Sequence, residues 1–222
     1  LVCVQTACAG RDSRLTGMAT LAQLCRGARL EFHVSLCTKK SKTIATSAQQ
    51  MCATRHFYMK FDPHTVQTRC PSPLGDMLLA ATDHGLAGAW FDGQRHQPAM
   101  EHWPTAPNHP VLLQAAAQLG EYFNGQRTQF DLPLDLRGGT PFQQAVWHAL
   151  LGIGAGSVSS YGALGRQIHK PSAVRAVGAA VGRNPISVIV PCHRVLGADG
   201  SLTGYAGGLE RKTALLTLEG AL

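Results

Sequence analysis

One cysteine, Cys192, stands where a thiol could act as a nucleophile. It lies in Pro191-Cys192-His193-Arg194, directly after the β-branched run at residues 186–190. That run predicts a short buried strand, which should end at Cys192 because Pro191 has no N–H to donate. A free cysteine is more often a small buried hydrophobic residue than a nucleophile, so its neighbours must decide its role.

The Cys192 thiol has a potential proton acceptor in His193. Adjacent side chains need not meet, so we expect a water molecule to bridge the two groups. Glu219 ends the last predicted helix, at about residues 209–219, where a carboxylate faces the negative end of the helix dipole and needs a cationic or donor partner. We expect Glu219 to orient His193, and His193 to take the proton from Cys192 and leave a thiolate.

Two short predicted helices joined by a tight turn precede this stretch and resemble a helix-turn-helix. The first opens at Ser160-Tyr161-Gly162 and the second begins near Ala173. Projected at about 100° per residue, one side of the second helix is apolar. We call the other side bare, because it carries only small residues and one arginine. The apolar side carries Val174, Val177, Ala180 and Val181, and the bare side carries Arg175, Gly178, Ala179 and Gly182.

The bare side would let the helix approach a DNA groove closely. Arg175 is its only long side chain and could enter the base stack in place of an extruded base. The alternative is a helix packed on both sides, which would leave Arg175 to find one of the few acids in this part of the chain. Tyr161 either contacts a phosphate and helps to swing a nucleotide outward, or is a half-buried tyrosine at a helix start. Asn184 is expected to hold the following turn through side chain to backbone bonds.

The net charge of +7 is unevenly distributed over the 222 residues. Residues 138–222 carry seven Lys/Arg against three Asp/Glu, whereas residues 59–137 carry five against eight. The basic last third favours a nucleic acid partner. No run approaches the roughly 18 apolar residues of a membrane span, so we expect no membrane association. Seven cysteines in irregular spacing resemble neither a disulfide framework nor a zinc site, which indicates a reducing, intracellular setting.

Three segments are predicted: an irregular extension at residues 1–58, a first domain at 59–137 and a second at 138–222. The extension is either an Arg-rich transit peptide or, as we favour, a disordered or non-native upstream stretch. The first domain should hold a three-stranded antiparallel meander, a helix beginning at Pro110 and an exposed edge strand at residues 130–136. The second should begin after Gly138-Gly139 with a capping box made by Thr140 and Gln143.

The second half of the chain resembles the O6-alkylguanine-DNA alkyltransferases, also named methylated-DNA–protein-cysteine methyltransferases. The resemblance covers roughly residues 64–222 and is dense from Gly139 onward. It is carried by Gly139-Thr140-Pro141-Phe142-Gln143, Ser160-Tyr161-Gly162, Arg175-Ala176-Val177-Gly178, Asn184-Pro185, Pro191-Cys192-His193-Arg194-Val195, Gly204-Tyr205-Ala206-Gly207-Gly208 and Leu218-Glu219-Gly220.

This resemblance implies an α+β fold, with an N-terminal ribonuclease-H-like α/β domain containing an antiparallel sheet. A mostly helical, winged-helix-like helix-turn-helix domain would follow. It also implies irreversible transfer of one methyl or other alkyl group to Cys192, after base flipping, from O6-alkylguanine or O4-alkylthymine in duplex DNA. The implied site comprises Cys192, His193, Glu219 and Asn184 for catalysis, Tyr161 and Arg175 for DNA binding, and Pro191, Tyr205 and Ala206 for the base pocket.

We therefore expect a cofactor-free monomer that works in the cytoplasm with the nucleoid, or in a nucleus. Some relatives carry serine at the position of Ala206, so here a backbone N–H must serve the alkylated oxygen. Thr82 and Ala87 stand where some relatives hold zinc, so no metal is expected. Two other functions remain open: a non-enzymatic binder of damaged bases, which would not need Cys192, and a thiol hydrolase, which would leave Arg175 unexplained.

Overall fold

The computed structural model describes residues 60–222, so the predictions made for residues 1–58 lie outside the described residues. Three strands, β1 (Val66–Cys70), β2 (Met77–Thr82) and β3 (Gly85–Phe91), form an antiparallel sheet in the order β1-β2-β3. The predicted meander is therefore confirmed. Strands β2 and β3 are buried along their whole length, which explains why their side chains are almost continuously apolar.

Both faces of this sheet are covered. Helix α1 (Pro110–Phe123) packs on one face and begins with Pro110 at its first turn, as predicted. On the other face, Phe61 packs edge-on against Trp90 and Trp103, with ring centroids 5.8 and 4.9 Å away.

The predicted edge strand at residues 130–136 is wrong. Only Leu134 makes a bridge, to Leu86 of β3, and the rest of the segment is irregular. The Leu86 N–H donates to the Pro133 carbonyl and the Asp135 N–H donates to the Leu86 carbonyl, both at 2.8 Å. Pairing with β3 goes no further for two reasons. Pro133 has no N–H to donate. The next residue of β3 whose backbone groups point away from β2 is Ala89, and it bonds to residues 185–187 instead.

The second half contains four helices and a small sheet. Its first helix, α2 (Pro141–Leu151), starts with the predicted capping box: the Gln143 N–H donates to Thr140 Oγ1 at 3.3 Å, and the Thr140 N–H donates to Gln143 Oε1 at 2.9 Å. The remaining elements are β4 (Ser159–Ser160), α3 (Tyr161–Gln167), α4 (Val174–Gly182), β5 (Val195–Leu196) and α5 (Leu209–Leu218), with β4 and β5 paired in parallel.

The helix-turn-helix pair α3–α4 is fixed to the interior through Trp147. This side chain is fully buried on α2, and its indole N–H donates to the Ala180 carbonyl of α4 at 2.9 Å. One apolar core contains buried residues of both halves of residues 60–222, so α4 and the sheet pack against the same core.

The α+β fold, with a sheet-containing first half and a mostly helical second half, is confirmed. The division at Gly138-Gly139 stays a prediction. No helix within residues 60–222 is both long and apolar enough to cross a bilayer.

Candidate active site

Residues 186–190 are buried as predicted, but they do not form a strand. Ile186 makes a single bridge to Ala89, after which the chain turns, and Val188 adopts a left-handed φ of +72°. The turn is held by Asn184, whose Oδ1 accepts the Ile186 N–H at 3.1 Å and whose Nδ2 donates to the Val190 carbonyl at 2.7 Å. The side chain of Asn184 thus supplies bonds that a neighbouring strand would otherwise have made.

This turn delivers Cys192 to the start of a 3₁₀ turn, Cys192–Arg194, in the protein interior. The thiol is 4% exposed, and Asn184 Nδ2 lies 3.0 Å from its Sγ. Burial raises the pKa of Cys192 to about 11, although the hydrogen bond from Asn184 and the positive charge of Lys212 both act to lower it. The free protein therefore holds a thiol, and the thiolate expected from the sequence forms only when this proton is removed. Desolvation, which sequence does not reveal, outweighs the stabilising groups.

The Glu219 carboxylate is the best-bonded group at the site. Its Oε1 accepts from Tyr122 Oη at 2.7 Å and from Arg194 Nη2 at 2.7 Å, and its Oε2 accepts from Arg194 Nε at 2.8 Å. The contact expected with His193 is also present, with Nε2 at 3.0 Å from Oε1. Burial alone would raise the Glu219 pKa, but the bonds from His193, Arg194 and Tyr122 lower it to about 2. Glu219 is therefore ionised at neutral pH.

His193 is fully buried, and burial lowers its pKa even though Glu219 acts in the opposite direction. The imidazole is therefore neutral at neutral pH. Because an ionised carboxylate can only accept, His193 must carry its proton on Nε2, which leaves the lone pair on Nδ1. Nδ1 is buried and has no hydrogen-bond partner within the described part of the chain, so it is free to accept a proton. The water expected between His193 and Cys192 stays a prediction.

Two residues that bind Glu219 were missed by the sequence analysis. Arg194 adjoins Cys192 in the motif, but nothing local to it predicts that its guanidinium would bind Glu219. Tyr122 is separated from Glu219 by 97 positions and carries no sequence signal for the contact.

Lys212 is fully buried and donates to the Val195 and Thr203 carbonyls at 2.5 and 2.9 Å. Its position three and four residues before the buried Leu215 and Leu216 was a usable signal that it faces inward.

Helix α4 exposes most of the face that was predicted to be bare. Val177, Ala180 and Val181 are buried, while Arg175 and Ala179 are exposed. Val174 was predicted to face inward and is 40% exposed, because it is the first residue of α4 and the helix meets the core one turn later, at Val177. The alternative of a helix packed on both sides is therefore wrong. Arg175 makes no salt bridge within residues 60–222.

A cavity of about 510 Å³ lies between α4 and residues 204–209, and we refer to it as the groove cavity. Gly178, Ala179 and Gly182 of α4 line one side of it. The predicted site residues Tyr161, Tyr205 and Ala206 also line it. Pro191 does not, because it borders a different cavity of about 520 Å³ together with Ile153 and Arg194.

Tyr161 and Tyr205 hold different positions around the groove cavity. The Tyr161 hydroxyl donates to the Thr203 carbonyl at 3.3 Å, and the ring lies beside Gly178, where a Cβ would be 3.7 Å from it. The Tyr205 ring meets His193 edge-on, with centroids 6.5 Å apart, and burial raises its pKa well above the usual range. Tyr205 thus connects the groove cavity to the His193–Glu219 pair.

No three His, Cys, Asp or Glu side chains of residues 60–222 are grouped so that they could hold a metal ion. At the two positions that the resemblance singled out for zinc, the Thr82 hydroxyl donates to Asp135 at 2.7 Å and Ala87 is buried.

Two family models match the described chain. The model for the 6-O-methylguanine DNA methyltransferase ribonuclease-like domain matches residues 66–136, and the model for the DNA binding domain of 6-O-methylguanine DNA methyltransferase matches residues 141–221. Together they span most of the sequence.

Known proteins agree with these models. A methylated-DNA–protein-cysteine methyltransferase of Mycobacterium tuberculosis is 51% identical over 148 residues, which is 67% of this chain and 88% of that protein. A crystal structure titled O6-methylguanine methyltransferase, also from M. tuberculosis, superposes with a TM-score of 0.65 at 48% identity, over 71% of this chain and 93% of that one. A structure of that organism's OGT in complex with DNA matches at 49% identity with a TM-score of 0.64, over 70% and 92% of the two chains.

Proposed function

The chain belongs to the O6-alkylguanine-DNA alkyltransferase family, the methylated-DNA–protein-cysteine methyltransferases, and from this premise we propose that it repairs alkylated duplex DNA by direct transfer to Cys192. The observation that carries the proposal is the setting of Cys192. A buried thiol touches Asn184 and adjoins in sequence a neutral imidazole held by an ionised carboxylate. The Tyr205 ring beside that imidazole lines the groove cavity, which the bare face of α4 borders.

Activation begins with removal of the thiol proton. His193 accepts this proton at Nδ1, through the expected water, and the resulting imidazolium is stabilised by Glu219 at 3.0 Å. The thiolate left on Cys192 is stabilised by the amide N–H of Asn184 and by the positive charge of Lys212. The high resting pKa of Cys192 keeps the thiol protonated until this relay operates.

Transfer is a displacement at the alkyl carbon. The Cys192 Sγ–C bond forms as the bond from carbon to O6 of guanine breaks, and the electron pair of that bond goes to the oxygen. A proton delivered to O6 or to N3 leaves neutral guanine, and Tyr161 is our proposed donor. The Tyr161 phenolate then regains a proton from solvent, and the His193 imidazolium releases to solvent the proton it took from Cys192. The thioether offers no good leaving group, so each chain reacts once. The same chemistry would serve O4-alkylthymine.

The helix-turn-helix brings the lesion to the thiol. We assign α4 to a groove of the duplex, because its exposed face carries small residues and Arg175. Arg175 fills the gap in the stack that an extruded base leaves, and Tyr161 contacts the phosphate that rotates the base outward. The base enters the groove cavity against Tyr205 and the backbone of Ala206. Such a protein works where DNA is found, with the nucleoid or in a nucleus.

Counting transferred methyl groups tests this proposal. The full chain is incubated with excess duplex containing O6-methylguanine with a labelled methyl group, and we expect transfer to plateau near one group per chain, located on Cys192 by peptide mass. Cys192→Ala should abolish transfer and leave duplex binding measurable, because binding rests on α4 and phosphate contacts. Cys70→Ala is the matched control, since Cys70 is also buried and free but lies at the end of β1.

Other results of this experiment would indicate a different function. Binding without any methyl on Cys192 would indicate a damaged-base binder. Continued release of product, or multiple turnovers on an ester or amide, would indicate a hydrolase. Loss of binding together with transfer in Cys192→Ala would show that the two functions are not separable.

A further inference from the structure

Three basic side chains from both halves of the chain meet at the groove cavity. Arg95 and His96 follow β3, in the half where acids outnumber Lys/Arg by eight to five, and Arg183 is the C-cap residue directly after α4. All three are exposed at the border of the cavity. We refer to Arg95, His96 and Arg183 as the cationic rim.

The cationic rim lacks acidic partners. No carboxylate lines the groove cavity, and no rim residue forms a salt bridge within the described residues. The pKa of His96 is lowered by partial burial and then by the positive charges of Arg183 and Arg95, so the three groups are close enough to act on one another. The guanidinium charges of Arg95 and Arg183, gathered without an acid, destabilise the free protein slightly, and a bound anion would remove that repulsion.

The rim is held in place relative to the proposed base pocket. The Arg95 N–H donates to the Ala206 carbonyl at 3.1 Å. The neighbouring Gln94 is buried, and its Oε1 accepts from the Ser187 hydroxyl at 3.0 Å and from the Phe91 N–H at 3.2 Å. The backbone at Arg95 is therefore tied both to the base pocket and to the turn that carries Cys192.

The position of the rim suits a nucleic acid backbone. The groove cavity leads from the bare face of α4 to Tyr205 and Ala206. A nucleotide whose base points toward Tyr205 must leave its phosphates at the mouth, where the rim lies. Arg175 and Arg183 stand at opposite ends of α4, roughly 12 Å apart along the axis. One rigid helix would thus supply a cation for the stack and another for the backbone.

We propose that Arg95, His96 and Arg183 bind the phosphodiester backbone beside the extruded nucleotide, so that the first half of the chain takes a direct part in DNA recognition. This proposal rests on the proposed function, because it assumes that a base enters the groove cavity. It assigns to the sheet-containing half a role beyond support of the fold.

The salt dependence of binding tests it. Affinity of the full chain for a duplex with one O6-methylguanine is measured from about 50 to 200 mM salt, in a Cys192→Ala background that prevents transfer. Arg95→Gln should reduce the slope of log affinity against log salt by about 0.9, the value for one lost phosphate contact, and Arg95→Gln with Arg183→Gln by about 1.8. The Arg95 side chain makes no hydrogen bond within the described residues, so Arg95→Gln should not move the unfolding midpoint. Arg183→Gln removes the 3.3 Å bond from Arg183 Nη1 to the Ala179 carbonyl, so the double variant is compared with the parent at a temperature where both are fully folded.

Arg69→Gln is the matched control. It removes another exposed charge from the same half, where Arg69 makes only a 3.8 Å surface contact with Asp92, and it should leave the slope unchanged. An unchanged slope in Arg95→Gln, or an equal fall in Arg69→Gln, would overturn the proposal. Methyl transfer by the parent protein is measured in parallel: if the parent transfers no methyl, the proposed function fails, whereas transfer with an unaltered Arg95→Gln slope rejects the cationic rim alone.

Discussion

At the scale of single residues, the site depends on the Glu219 carboxylate, which accepts hydrogen bonds from several donors. Glu219 binds His193 and also Arg194 and Tyr122, so its negative charge and its orientation are fixed before any substrate arrives. This placement lets the carboxylate hold the proton on His193 Nε2 and keep Nδ1 free. The bonded neighbours of Glu219 therefore influence the chemistry of Cys192 without touching it.

Tyr122→Phe tests this positioning role. Loss of the 2.7 Å bond to Glu219 should slow methyl transfer on the order of tenfold, since a hydrogen bond to a charged group contributes about 1.5–3 kcal/mol. The Glu219 pKa should also rise, which would move the acid limb of the transfer rate to higher pH. Single-turnover rates measured across pH give both quantities.

Thr82→Val provides the comparison for Tyr122→Phe. It removes a hydroxyl bond of the same length to another buried carboxylate, Asp135, in the same half of the chain. The pH profile of transfer should not move in this variant. If both substitutions slow transfer equally with no change in the profile, Tyr122 contributes only to stability.

At the scale of elements, one side of α4 is bound to the protein interior and the other side exposes small residues. Trp147 of α2 fixes its buried side through the Ala180 carbonyl, while Ala179 on the other side stays exposed. A helix that exposes small residues can approach a partner surface closely. Because α4 is held by the core, its conformation need not change when it does so. The close approach depends on side-chain size at one or two positions.

Ala179→Leu is expected to lower duplex affinity at least tenfold. The larger side chain would hold α4 away from the groove and weaken every contact made at short range. Leucine is a good helix former, and the position is exposed, so stability should change by less than about 0.5 kcal/mol. Fluorescence anisotropy with a labelled duplex measures the affinity, and thermal unfolding measures the stability.

Ala117→Leu on α1 is the matched substitution, because Ala117 is also an exposed alanine within a helix. It should bind DNA as the parent does. Equal affinity of Ala179→Leu and Ala117→Leu would contradict the assignment of α4 to a groove.

At the scale of the whole molecule, Glu219 also joins distant parts of the chain. It lies at the end of α5, and it binds Tyr122 of α1 and the turn that carries Cys192. The Glu219 pKa is about 2 in the folded protein against an ordinary value of 4.5. A carboxyl whose pKa is lower in the folded state stabilises the fold above its unfolded pKa, and this contribution disappears as pH falls through the folded value.

We therefore expect acid to remove on the order of 3 kcal/mol of stability through Glu219, between about pH 4.5 and pH 2. Glu219→Gln should lack this part of the pH dependence, as measured by urea unfolding at a series of pH values. Asp83→Asn, which removes an exposed carboxylate from the turn between β2 and β3, should keep the parent profile. Identical profiles for Glu219→Gln and the parent would contradict the lowered pKa.

Features that depend on neighbouring residues could be predicted from the sequence. The capping box at Thr140, the start of α1 at Pro110, the three-stranded meander and the helix-turn-helix all follow from contacts or periodicities within a few positions. The motif around Cys192 identified the family for the same reason, because its residue types are adjacent in the chain. The predicted contact of Glu219 with His193 came from the dipole at a helix end, which is also local.

The remaining features depend on contacts between residues far apart in the chain. Residues 130–136 and 186–190 both failed to become strands because each bonds to β3 at only one position, and sequence does not show how one edge is divided between two distant segments. Tyr122 reaches Glu219 across 97 positions, and Arg95 and Arg183 line the same cavity only because both halves border it. The pKa of Cys192 likewise depends on how completely the fold excludes water, and that exclusion is a property of the packed molecule.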